Sequence, residues 1–260
     1  TSSIPSAISA ADPSPCTRTG TTSTSTHRVR RRKTSRKSRI AAPVGLVLRR
    51  GPSRVVRVIL WRRDRDEFEP GQWFRGRLFA DRSDISPDGR HWIYFAMGGV
   101  RWAIAETRGT WIAIARVPLL SATALWGQGD TWAGGGFFTS NLSYWLEADR
   151  NTERLRDQSG LRRDPCPPKQ SRMERDGWTP QGGGVFDKPI EGGWTLRRTG
   201  WRGGYELRRA GSSTIVRPSW EWAEWDRRRL VWTESGCLRT GVAGRDGFSE
   251  IRDIHDFSAD

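Results

Sequence analysis

Along residues 92–96 every position is apolar. Trp92, Tyr94 and Ala96 fall on one face of an extended segment, and Ile93 and Phe95 on the other. A strand apolar on both sides belongs inside a layered β structure. In 54–61, Val56, Val58 and Leu60 form one apolar face, while the other carries Val55, Arg57, Ile59 and Trp61. From Val44 onward short apolar runs alternate with turn chemistry: "VGLVL", then Gly-Pro-Ser, "RVVRVILW", the charged turn "RRDRDE" and "FEPGQWFRGRLFA". Residues 40–48 predict a first strand. No segment keeps apolar residues at helical spacing over three turns. The best helix candidate is "SYWLEADRNTERLRDQ" (143–158), short and polar, which reads equally as a loop. The pattern predicts an all-β domain over 43–260.

Turn chemistry supports that reading. Ser86, Pro87, Asp88 and Gly89 fit a type I turn, with Ser first, Pro pre-set second, Asp third and Gly last. A partial echo lies at 224–241, where Asp226 precedes Leu-Val-Trp and Ser235-Gly236 offers a hairpin turn into "CLRTG". Weaker echoes, "GTWIAIAR" (109–116), "ERDGWTP" (174–180) and "EGGWTLRRTG" (191–200), each set a tryptophan at a strand edge. Approximate self-similarity every 40–50 residues is the mark of a β-propeller.

"DISPDGRHWIYFA" resembles the Ser-Pro-Asp-Gly turn and following strand of TolB-type and related WD-like propeller repeats. The segment is also similar to the sialidase Asp box, but Gly89 directly follows Asp88 instead of lying one residue beyond. The propeller resemblance implies short antiparallel sheets, about five blades over the ordered chain, and a binding scaffold. Such a ring would close by pairing 44–60 with the C-terminal strands. A β-sandwich is the alternative architecture.

Composition sharpens the picture. Fifteen Trp against two Met, with 29 Gly and 14 Pro, favours turn-rich β structure over helices. The net charge of +15 is concentrated at one end. Residues 1–63 hold fifteen Lys/Arg and one acid, Asp12, whereas the rest is nearly neutral. Residues 1–42 are rich in Ser, Thr and Arg, with too little apolar surface to offset ordering entropy, and are expected to be a disordered basic tail. Within them Arg28, Arg30, Arg31, Arg32, Lys33, Arg36, Lys37 and Arg39 form a polycation suited to phosphate contacts with nucleic acid, an anionic surface or a targeting receptor. Cytoplasmic placement is the default, with organelle import as the alternative, since the tail has the composition of a transit peptide. The longest apolar run, 111–126, is broken by Arg116 and is too short to cross a membrane.

The chemistry-bearing constellations are few. Cys16, Cys166 and Cys237 are far apart, and His27, His91 and His255 are isolated. Neither a disulfide framework nor a metal site is expected, although a single Cys166–Cys237 bridge remains open. No cofactor and no catalytic residue is assigned. Tryptophans beside arginines in 197–209 and 219–229 suggest stacking platforms or, more simply, core; Trp220 and Trp222 would share a face on a strand. Asp64, Asp66, Glu67 and Glu69 could pair for glycosidic chemistry, but sit among Arg62, Arg63 and Arg65, where ion pairs are the ordinary outcome. "GQGDTWAGGG" lacks a P-loop's terminal Gly-Lys-Ser/Thr and reads as a loop. The expected function is a non-enzymatic, propeller-type scaffold binding a protein partner. The alternatives are nonspecific nucleic-acid binding through the tail and a carbohydrate-active propeller.

Overall fold

The computed structural model describes residues 42–51, 54–200, 204–209, 215–217, 219–244 and 247–257. The basic segment before Ala42, with all eight arginines and lysines assigned to phosphate contacts, lies outside the described residues, as does its expected disorder. The all-β expectation holds. Strands form five separate sheets, each drawn from neighbouring stretches of chain.

The first sheet is the antiparallel meander of β1 (Val44–Arg50), β2 (Val55–Arg62) and β3 (Glu67–Arg75). The second contains β4 (Arg77–Ile85), β5 (His91–Met97), β6 (Thr110–Arg116) and β7 (Ala122–Gly127), with α1 (Arg101–Thr107) between β5 and β6. The third is built from β8 (Gly136–Phe138) and β9 (Ser143–Leu146). Next, β10 (Glu153–Asp157) returns to the edge of the second sheet beside β7, and β11 (Arg162–Arg163) pairs in parallel with β9.

The four-residue helix α2 (Arg172–Arg175) leads into the fourth sheet: β12 (Thr179–Gly182), β13 (Val185–Pro189), β14 (Trp194–Thr199), β15 (Gly204–Arg209) and β16 (Ile215–Arg217). The fifth sheet comprises β17 (Trp222–Asp226), β18 (Arg229–Glu234), β19 (Cys237–Gly244) and β20 (Gly247–Asp256).

Burial follows the two-sided patterns. On β5, Trp92, Tyr94 and Ala96 enter one core with Val56 and Val58 of the first sheet, while Ile93 and Phe95 enter another with Phe138, Tyr144 and Leu146 of the third. On β2, Val56 and Val58 face the second sheet, whereas Ile59 and Trp61 pack with Val231, Leu238 and Phe257. A further core joins Trp194, Leu196 and Leu207 of the fourth sheet to Leu230 and Trp232 of the fifth. Fully burying side chains of this size contributes roughly 1.5–3 kcal/mol each. The first and last sheets therefore share a core. Residues 44–60 do not pair with the C-terminal strands: β1 and β2 use their ladders on each other and on β3, so the two sheets meet through side chains.

Several local expectations change. Residues 143–158 form no helix. Tyr144 and Leu146, two apart, are both buried on β9, and the Asp149 carboxylate accepts from the Asn151 amide (2.8 Å), making a turn that a helix could not contain. The helix that does form, α1, is short, buries only Ala103 and Thr107, and ends at Arg108 with a left-handed φ of 56°. Trp220 and Trp222 do not share a face. Trp220 lies buried before β17, stacked on Trp232 with centroids 5.2 Å apart, while Trp222 is exposed. Cys237 carries a free thiol, so no Cys166–Cys237 bridge forms. Ser235 and Gly236, at φ 52° and 80°, make the two-residue hairpin between Glu234 and Cys237.

Candidate functional site

The 86–89 turn connects β4 to β5. The Gly89 amide donates to the Ser86 carbonyl (2.8 Å), and Gly89 itself takes a φ of 73°. The Ser86 hydroxyl donates to Asp88 Oδ1 (2.6 Å) and accepts from the His91 amide (3.0 Å), while the Arg90 amide donates to the same carboxylate (3.1 Å). Burial pushes the Asp88 carboxyl up, but the Ser86 hydroxyl and the Arg90 amide outweigh it and hold it below the usual carboxylate range. Ser86 is fully buried, and the Pro87 carbonyl accepts from the Ala42 amide (3.2 Å). These polar groups are occupied with one another, which is the arrangement of a framework turn.

The acidic turn after β2 is also structural. Arg229 makes a two-pronged contact with Asp66 (2.7 Å for each nitrogen), which also accepts from the Trp61 indole N–H (3.3 Å). Arg63 pairs with the buried Asp226, and Arg62 with Glu69. The Arg229 and Arg63 contacts tie the first sheet to the fifth. Asp66 and Glu69 are thereby committed to arginines.

An open groove lies instead between the first and second sheets, about 480 Å³ in volume. Strand β3 supplies Gln72, Trp73 and Phe74; α1 supplies Trp102 and Glu106 to the rim; Tyr94 and Trp111 lie in the floor. Trp73 and Trp102 are half exposed (50% and 47%), unlike the eight tryptophans buried in the cores. Both exposed rings are held. Arg57 stands opposite Trp73 in the β2–β3 ladder, its guanidinium 5.1 Å from the ring centroid. Trp102 leans on Trp111 at 5.2 Å, and Phe74 meets Trp111 edge-on at 5.7 Å.

The polar groups around the groove fix its wall. The Tyr94 hydroxyl donates to the Leu120 carbonyl (2.7 Å), and the Leu120 amide donates to Gln72 Oε1 (2.6 Å). Burial pushes the Tyr94 phenol far up, so it stays a proton donor. The Trp92 indole N–H donates to the Leu119 carbonyl (2.7 Å), pinning the same loop.

No family model, no curated protein and no solved structure matches the chain. Among the described residues no group of three His, Cys, Asp or Glu is placed to hold a metal, and no helix is long and apolar enough to cross a membrane.

Sequence reasoning did not single out Trp73 or Trp102. The available signal was the mixed pattern of "EPGQWFRG", where Trp73 and Phe74 point to opposite faces of a strand that needs only one of them for the core.

Proposed function

We propose that the chain is a non-enzymatic, propeller-type scaffold that binds an extended segment of a protein partner in the Trp73–Trp102 groove. The propeller reading is supported by five sheets built from neighbouring stretches of chain, by cores joining the first sheet to the second, the second to the third and the fourth to the fifth, and by the core common to the first and last. Their unequal sizes, from three to five strands, depart from uniform four-stranded blades. The Ser-Pro-Asp-Gly turn, engaged in tying sheet edges together, is in keeping with the resemblance to TolB-type repeats.

The observation that carries the binding role is the pair of exposed, braced indoles over an aromatic floor. Aromatic grooves with a few convergent polar groups suit extended, proline-containing segments, which lose little entropy on docking. Preorganised rings also lower the ordering cost of binding. Of the acids the carbohydrate-active alternative would use, Asp66 and Glu69 are engaged by arginines away from the groove.

The test is titration of a polyproline peptide into the full chain, followed by indole fluorescence. Saturable binding that weakens about tenfold or more in Trp73→Ala and Trp102→Ala, with unchanged circular dichroism, supports the reading. Peptide binding that ignores both substitutions, or no binding by the unaltered chain, removes it.

A further inference from the structure

A second cleft, sharing no residue with the groove, opens where the corner after β1, the β3–β4 link, both ends of α1 and the 129–132 loop meet. Its volume is about 910 Å³. Arg50, Arg54, Arg77 and Arg108 line it, against a single carboxylate, Asp130. That carboxylate is turned to its own loop, where it accepts from the Trp132 amide (3.0 Å).

The arginines are positioned but not neutralised. Arg108 donates to two backbone carbonyls, Gln128 (3.3 Å) and Asn151 (2.6 Å), and Arg77 lies over the Phe79 ring at 4.5 Å. None of the four pairs with a carboxylate among the described residues. One buried polar atom in the lining, Oγ1 of Thr110, a residue only 5% exposed, has no hydrogen-bond partner among those residues. Buried polar groups are rarely left unmet, so it points to a polar ligand or its waters.

Trp132 completes the arrangement. It is 91% exposed, the most open large apolar side chain in the molecule's described residues, and it stands at the cleft's edge beside the arginines. An indole held out in water beside uncompensated guanidinium groups suits a ligand with alternating anionic and aromatic parts. The walls include Gly98, Gly99 and Gly129, which let a ligand backbone approach closely.

We propose that this cleft binds single-stranded nucleic acid, with the arginines contacting successive phosphates and Trp132 stacking on a base. This site takes Arg50 and Arg54 from the end of the charged first sixty-three residues and Arg77 and Arg108 from the near-neutral remainder, and is distinct from the basic segment 27–39. It stands or falls separately from the peptide groove.

The test uses the full chain and a short fluorescein-labelled oligothymidylate, with binding read by anisotropy across a salt series. Three proteins are compared: unaltered, Arg50→Gln/Arg77→Gln, and Trp132→Ala. The substituted side chains are exposed, so all three should give the same circular dichroism and melting temperature. The basic segment is identical in each and cancels from the comparison.

The arginine pair is expected to weaken binding at least about tenfold and to flatten the salt slope by about 1.4, from roughly 0.7 for each phosphate contact on a single strand. Trp132→Ala is expected to weaken binding about 5- to 160-fold with the slope unchanged. Equal affinity and slope in all three proteins would overturn the proposal, because the phosphate contacts would then lie elsewhere. Loss in the arginine variant without loss in Trp132→Ala would overturn it too, since the cleft would be reading charge and not bases. Absence of binding by the unaltered chain would overturn it as well.

Discussion

Replacing Arg175 by Met tests how α2 holds the fourth sheet's segment to the second and third sheets. The guanidinium grips Asp84 with both prongs, at 2.7 and 2.8 Å, and also donates to the Phe138 carbonyl (2.9 Å). The partner side chains are almost sealed from water, 8% exposed for Arg175 and 5% for Asp84. Asp84 keeps one further donor, the Phe138 amide at 2.8 Å. Methionine fills the space of the arginine stem but leaves that carboxylate buried without its cation. Breaking a buried pair in this way costs about 3–5 kcal/mol.

Burial already pushes the Asp84 carboxyl up, against the opposing pull of Arg175. Without Arg175 the folded value rises further above the unfolded one of about 3.9. The folded variant then holds more protons than the unfolded chain between those two values, so its stability falls as pH rises through that window. The deficit should therefore be largest at neutral pH and shrink as pH falls toward about 4. Urea denaturation at a series of pH values measures it as a lower midpoint at constant slope. Asp84→Asn/Arg175→Met removes both charges while an amide oxygen can still accept from Phe138. It should recover most of the loss. A midpoint for Arg175→Met within about 1 kcal/mol of the unaltered chain at pH 7 would refute the reasoning, as would a double variant no more stable than the single one.

Gly89→Ala combines a φ of 73° with a new Cβ 2.6 Å from Val44 Cγ2 and 2.7 Å from Ala42 Cβ, so a loss of about 1–3 kcal/mol is expected in thermal unfolding. Arg229→Gln removes the two-pronged partner of Asp66 and should cost about 1–3 kcal/mol by urea denaturation. Burial pushes the Asp66 carboxyl up, but the hydrogen bonds and charge of Arg229 prevail and hold it down, so its stabilisation is present above the unfolded carboxylate value and lost as pH falls through the lower folded one. The Arg229→Gln loss should accordingly shrink in acid, and a deficit that grows there would contradict the assignment. Ser235→Asn should stabilise by a few tenths of a kcal/mol, because Asn tolerates the left-handed φ of 52° better than Ser; thermal unfolding measures it.

Much of the strand content was legible because period-two burial leaves a direct trace. The five apolar residues of β5 divide between two cores as their alternation implied, and the two faces of β2 do the same. The Ser235-Gly236 hairpin was legible for a different reason, since few residue pairs accept two positive φ values. Residues 143–158 misled because a polar, charged stretch is compatible with an edge strand: β10 is exposed at every position and takes its place from β7, not from its own sequence.

Neither site could be read from the linear chain. The groove joins Trp73 to Trp102 across a strand pair and a helix, and the cleft collects Arg50 and Arg54 from one corner and Arg77 and Arg108 from two others. The sequence concentrates charge in the first sixty residues, which draws attention to the tail. Arg50 and Arg54 are outnumbered there by the tail's own charges, while Arg77 and Arg108 are diluted by acids that the fold places elsewhere.

The seam between the first and fifth sheets has a kinetic consequence. Its contacts join residues more than 160 positions apart, such as Asp66 with Arg229 and Arg49 with the Phe257 carbonyl. Every sheet, by contrast, is assembled from nearby strands. Loop closure over such separations is slow to be rewarded, so the seam is expected to be the last step of folding. Among the described residues no backbone ladder crosses it, and parting it would leave every sheet's own hydrogen bonds intact. The molecule can therefore breathe there without unfolding, and proteolysis under native conditions should begin with whatever that opening uncovers.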